Sequence, residues 1–305
     1  MVMVLTKTVT LLPTNYFLTS YFKPRGNIYL FLIYITFLSQ NLFADRYQLD
    51  YFIDKVDAKS TYTAKKDDLV ARLDFPYKPF THGLKLSYFY KQYTLSLSIQ
   101  NKLHPTKTTG EDLDWYKGDL SVYSHSDMKT DSYEKYTIAI SENISDILSM
   151  TFKYDYKHLK FSWHNTKQTD YVAEKYIVIN KKALLYEQYY HIFNIGSRFK
   201  YKYKNLLITF HPNIFFLHNK SIDSHLLRSI YTVQKNSGFG YNYKIKSEYV
   251  INKSVSISAS FYRESFSDKS SNMKYYLDNG YMYDNIKSSM SFYENNYRVA
   301  ISYKW

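Results

Sequence analysis

The run Tyr93-Thr94-Leu95-Ser96-Leu97-Ser98-Ile99-Gln100 changes character at every step. Successive side chains of an extended chain point to opposite faces, so this octapeptide has one apolar face (Tyr93, Leu95, Leu97, Ile99) and one polar face. The same signature returns from Ser254 to Tyr262, where Val255, Ile257, Ala259 and Phe261 alternate with four serines. It returns again at the C-terminus, where Tyr297, Val299, Ile301, Tyr303 and Trp305 share a face. Beyond Asp45 no segment carries a period of 3.6, so the expected fold class is all-β.

A soluble sandwich also alternates, and composition and connections separate it from a barrel. The chain has 305 residues, 36 of them Tyr and 20 Phe, with 22% charged residues and no cysteine. Its mean hydropathy of −0.44 is too low for a bundle of membrane helices. The absence of cysteine excludes disulfides, thiolate metal sites and a Cys nucleophile. Alternation places strands at 48–63, 67–91, 93–103, 132–143, 147–173, 184–203, 205–225, 237–250, 254–267 and 285–305. Connections at Lys91-Gln92, 143–146, Lys204 and 251–253 are tight, whereas those after the third, seventh and ninth strands are long. Short turns at one end and long loops at the other are the habit of outer-membrane barrels. Hydrocarbon offers backbone N–H and C=O no partner, so a sheet crossing it must close on itself. The expectation is a transmembrane antiparallel up-and-down β-barrel of ten strands, or twelve if Glu294-Asn295-Asn296 is a further turn. Tyrosines suit the interfacial girdles.

The N-terminus supplies an address. Lys23-Pro24-Arg25-Gly26 precedes an uncharged stretch from Asn27 to Ala44 that ends Leu42-Phe43-Ala44 before Asp45. A basic flank, an apolar segment too short to span a bilayer and a small residue at the end read as a cleaved secretory signal. Residues 1–44 are therefore expected to be a signal peptide with an N-terminal extension, and 45–305 the barrel of a Gram-negative-type outer membrane. The formal charge is +13; Lys7, Lys23 and Arg25 lie in the first 44 residues, which hold no acid, so +10 remains on the rest. Given that address, the anionic partner is membrane lipid and not nucleic acid. Lys-Tyr alternation from Phe199 to Tyr203 reads as a lumen face backed by an aromatic girdle. With only 8 glycines, no phosphate-cradling loop is present.

With the first strand rising from the periplasm, two titratable clusters fall at the outer end. One is Gly110-Glu111-Asp112-Leu113-Asp114-Trp115 after the third strand, and the other is Asp223-Ser224-His225 at the top of the seventh. On that seventh strand Leu206, Ile208 and Phe210 read as lipid-facing, so the alternating parity turns Asp223 and His225 into the lumen. The same parity from Ser96 and Ser98 turns Asp112 and Asp114 inward.

These segments resemble the omptins, ten-stranded outer-membrane endoproteases that pair an Asp-x-Asp-Trp segment in the second outer loop with an Asp-x-His segment on strand seven. Here the counterparts are Asp112-Leu113-Asp114-Trp115 and Asp223-Ser224-His225, with further similarity at Arg72-Leu73-Asp74-Phe75 and from Val250 to Arg263. The resemblance implies catalytic roles for Asp112, Asp114, Asp223 and His225: Asp223 holds His225, which acts as general base on a water, and Asp112 and Asp114 orient that water. It implies no metal or organic cofactor, a dependence on lipopolysaccharide or lipooligosaccharide, a peptide or protein substrate at the cell surface, and a monomer. Two residues before the strand-seven Asp the family can place an acid that accepts a basic substrate side chain, and this chain has Ser221. The alternatives are a noncatalytic omptin-like barrel, acting as adhesin or structural protein, and a narrow porin.

Overall fold

The structure is a computed structural model that describes residues 47–104, 106–226, 230–277 and 282–305. Thirteen strands follow in chain order: β1 (Tyr47–Lys66), β2 (Leu69–Tyr77), β3 (Phe80–Tyr90), β4 (Tyr93–His104), β5 (Lys107–Tyr116), β6 (Asp119–Asn143), β7 (Leu148–Asp170), β8 (Lys175–Ile179), β9 (Leu184–Tyr203), β10 (Leu206–His225), β11 (Ile230–Val250), β12 (Val255–Leu277) and β13 (Met282–Lys304). Every pairing among them is antiparallel. β1 pairs along its lower part with β3 and along its upper part with β2, so β2 and β3 are two pieces of one ring strand. The break falls at Lys78-Pro79, where proline has no N–H for the ladder. In the same way β4 and β5 both pair with β6 and make one ring strand. β8 pairs with β7 and forms a hairpin above the ring.

The outcome is a ring of ten strands. β1 meets β13 from Gln48↔Lys304 up to Lys65↔Lys287, and the Tyr47 and Trp305 backbones exchange two hydrogen bonds of 3.0 Å. This closure leaves the ring no edge. Glu294, Asn295 and Asn296 lie within β13, opposite Ala58, Asp57 and Val56, so the twelve-strand alternative is excluded. The tight connections at 91–92, 143–146, 204 and 251–253 sit where the alternation put them.

The long outer loops are corrected. The stretch after the third strand is a hairpin of β5 and upper β6, turning at Lys117-Gly118 with both residues at positive φ. β11 starts at Ile230 and β12 runs on to Leu277, so sheet continues where loop was expected. Above the bilayer the outer face of a strand meets water, and the apolar half of the alternation disappears although the ladder continues.

Outside the lower barrel, exposed Ile53, Leu97, Ile140, Ile195, Phe210 and Ile301 belong to an apolar belt that covers neighbouring strands. Such a surface is stable only against hydrocarbon. Inside, above the belt, Tyr62, Phe75, Phe161, Trp163, Tyr186 and Tyr190 belong to a buried aromatic core. Just below it Lys157, fully buried, lies 3.4 Å from Glu264 Oε1 and 3.0 Å from Glu294 Oε2, with the Tyr77 and Tyr133 hydroxyls donating to Glu294. Both layers pack across the lumen and form the base on which the outer rim stands.

Candidate functional site

Above the aromatic core the rim encloses a cleft of about 160 Å³. Asp112 and Asp114 line it from β5 and Asp223 and His225 from β10, so the four residues singled out in the sequence share one cavity. Register explains the arrangement. Asp112 pairs with Leu73 and Asp114 with Ala71 of β2, and all four side chains face the cleft, while Glu111 points away and accepts a hydrogen bond from the Tyr123 hydroxyl at 3.1 Å. On β10 the inward parity that buries Phe215 and Leu217 continues through Asn219 and Ser221 to Asp223 and His225. Strands three and seven of a ten-strand ring lie on opposite walls, so the two pairs face each other across the opening.

Asp223 and His225 make a direct contact: His225 Nε2 lies 3.0 Å from Asp223 Oδ2. Asp223 is 3% exposed, which removes water as a competitor for that oxygen. Its Oδ1 is buried with no hydrogen-bond partner among the described residues. A buried carboxylate is held in place by the histidine it accepts from and fixes the tautomer of that ring.

The floor was not legible as a site. Tyr62 reaches from β1 to within 5.2 Å of the Tyr186 ring, and its hydroxyl receives Gln188 Nε2 at 2.9 Å. Ser221 Oγ lies 3.0 Å from the same hydroxyl and donates to Asn219 Oδ1 at 2.7 Å. Burial pushes the Tyr62 and Tyr186 phenols well above the usual tyrosine range, so both remain neutral. The aromatic stack continues beneath, with Tyr186 on Phe75 at 4.1 Å and Phe75 beside Trp163 at 5.3 Å. The walls carry Leu73, Ile230, Thr232, Gln234, Met273 and Tyr275. These residues come from β2, β11 and β12; inward parity carried up from the belt reaches those of β2 and β11, whereas an irregularity between Asp268 and Ser271 reverses it before Met273 and Tyr275. His164 lies outside this lining, 3.2 Å from Ser162 Oγ. Among the described residues no group of three or more acids and histidines is placed to hold a metal ion.

A closed ten-strand ring, an apolar belt and an outward cleft define a class: outer-membrane β-barrels with a polar site at the mouth. Within that class the chain is similar to the outer membrane protease OmpT of Escherichia coli, with a TM-score of 0.79 over 86% of this chain and 97% of that one, at 12% identity. The chain thus has an omptin-like outer-membrane barrel fold; at that identity the likeness concerns fold alone. Less similar are OprG of Pseudomonas aeruginosa (TM-score 0.42, 7% identity, 86% and 96% covered) and the translocator domain of the autotransporter NalP of Neisseria meningitidis (0.41, 8%, 92% and 95%). No protein-family model matches the chain, and no curated protein matches its sequence.

Proposed function

We propose that this barrel is an omptin-like endopeptidase that cleaves peptides or proteins at the outer surface of the outer membrane. What supports this reading is the facing of the Asp223–His225 pair, 3.0 Å apart, and the Asp112–Asp114 pair across one small cleft. With Nε2–H donated to Asp223, the ring carries its acceptor lone pair on Nδ1. That nitrogen takes a proton from a water while the water oxygen attacks the substrate carbonyl. Asp112 and Asp114 orient the water from the other wall. His225 then returns its proton to the departing amide nitrogen, and the Asp223 carboxylate stabilises the imidazolium in between. The cycle needs no covalent intermediate. Lipopolysaccharide or lipooligosaccharide at the belt is the activating lipid in this reading, and the working unit is the monomer.

The test is cleavage of a broad peptide library by the protein purified in detergent with lipopolysaccharide. Asp223→Ala and His225→Ala should each lower cleavage on the order of 10²- to 10⁴-fold, the usual contribution of a positioned base. Heat-modified gel mobility should show that both variants still fold. Cleavage equal to wild type in both would refute this site, and no cleavage by wild type would favour the noncatalytic barrel, an adhesin or structural protein.

A further inference from the structure

Below the charged and aromatic layers the lumen changes character. Inward positions become small or hydroxylated, among them Ser87, Ser96, Thr209, Ser258 and Ser302. Short side chains leave a well, and long cations reach into it: Lys85 from β3, Arg198 from β9, Lys244 and Lys246 from β11 and Arg298 from β13. The Lys85 side chain keeps 39% of its surface exposed although it lies inside the ring, so water enters from the periplasmic end. Upward, the fully buried Tyr77, Tyr133, Lys157 and Glu294 close the well.

The charges in this well do not balance. Asp54 takes Arg298 through two hydrogen bonds of 2.7 and 2.8 Å, Glu248 takes Lys246 at 2.5 Å, and Asp50 faces Lys85 at 4.0 Å. Lys244 and Arg198 are left over. Among the described residues Lys244 has no ion pair or hydrogen bond. Arg198 offers Nη2 to Ser149 Oγ at 3.3 Å, and its Nε is buried without a partner. Both converge on His211, which pairs across the strands with Lys244 and lies in the field of Lys244, Arg198, Lys85 and Lys246 together. Its Nε2 sits 3.1 Å from Thr209 Oγ1. Cations gathered inside a barrel wall repel one another unless an anion stands among them.

We propose that the periplasmic half of the lumen is a binding site for an oxyanion of the phosphate class, held by Lys85, Arg198, Lys244 and Lys246 with the Thr209 hydroxyl beside them. The two cations without carboxylates match the two negative charges of a phosphate. Guanidinium and ammonium donors around a hydroxyl-lined space suit its several acceptor oxygens better than they suit chloride. This site lies on the far side of the aromatic core from the cleft and does not depend on catalysis there.

The probe is inorganic phosphate added to the purified full chain in a zwitterionic detergent, against chloride at equal ionic strength. Binding is read by ³¹P line broadening and by the rise in unfolding temperature. Wild type should bind, and Arg198→Gln and Lys244→Gln should each weaken binding by about tenfold or more, the scale of a lost charged hydrogen bond. Lys244→Arg, which keeps the charge, should bind, and so should the rim control Lys59→Gln. Short-chain phosphatidic acid in a parallel arm separates sources: tighter binding than phosphate assigns the site to a lipid headgroup, and equal or weaker binding to a free oxyanion. An equal response of wild type and both glutamine variants, or an effect that chloride reproduces, would overturn the proposal.

Discussion

Ser221 Oγ stands 3.0 Å from the Tyr62 hydroxyl, and this neutral pair forms the floor beneath Asp223 and His225. Where an acid two residues before the strand-seven Asp would receive a cationic side chain, the cavity here ends in the neutral Ser221 and Tyr62 side chains. A lysine or arginine side chain driven into this floor would lose its hydration with no carboxylate on the floor itself to replace it, the nearest being Asp223 above, already engaged by His225. Peptides with uncharged residues at the cleaved bond should therefore be preferred. Ser221→Asp should move the preference toward Arg and Lys, read from the cleavage sites in a peptide library by mass spectrometry. An unchanged site preference in this variant would count against the floor as the specificity determinant.

The outer rim should loosen in acid. Asp74 on β2 is pushed up by burial, but hydrogen bonds from Lys59, Thr61 and Arg72 outweigh this and leave its carboxyl below the usual range. Its Oδ2 lies 2.9 Å from both Lys59 Nζ and Arg72 Nη2, and Thr61 donates to Oδ1 at 2.7 Å. A lowered carboxyl stabilises the fold above its unfolded value of about 3.9 and loses that contribution as pH falls through the lower folded value. Amide exchange in the β1–β2 hairpin should thus be flat from neutral pH to about 4 and, once corrected for intrinsic rates, should rise below that. In Asp74→Asn the rise should be absent.

How much of this was readable in advance follows from what each residue faces. On the belt, Leu95, Leu97 and Ile99 must be apolar because they meet hydrocarbon, so alternation located the strands and the tight turns. Above it, Asp112 and Glu111 lie on opposite faces of the same strand and both are acidic, because one meets a polar cleft and the other water. Alternation vanishes there, and β5 read as loop. The parity argument still carried Asp223 and His225 inward, since β10 runs without a bulge from Leu206. Tyr62 and Met273 were not legible as neighbours of that pair. Only closure of the ring brings β1 and β12 to the same mouth, and a linear pattern says nothing about which strands meet across a lumen.

Gly110 sets the position of Asp112. A Cβ at Gly110 would lie 2.5 Å from the Trp163 ring, itself 2% exposed and packed on Phe75. Gly110→Ala should displace the indole or push β5 outward, costing about 1–3 kcal/mol as overpacking does. The shift would carry Asp112, two residues on, away from the opposite wall. Tryptophan emission should change, and cleavage should fall with kcat more affected than KM. Wild-type emission and turnover in Gly110→Ala would show that the contact does not position the carboxylate.

The charged layer under the core bears on the porin alternative. Lys157 Nζ, at 3.0 Å from Glu294 and 3.4 Å from Glu264, fills the lumen together with the Tyr77, Tyr133 and Tyr190 rings, and its ammonium lies 4.9 Å from the Tyr190 ring centre. Lys157→Met removes the cation but leaves two buried carboxylates facing each other. Breaking a buried pair from one side costs about 3–5 kcal/mol, far more than removing the whole pair. The variant should therefore unfold at lower denaturant, and adding Glu294→Gln should restore part of the loss, because one unpaired charge goes with it. In planar bilayers wild type should pass no steady current, since no water path crosses a layer whose members are fully buried. If Lys157→Met conducts, the layer is the barrier; conductance in wild type would mean that the layer opens and would favour the porin reading.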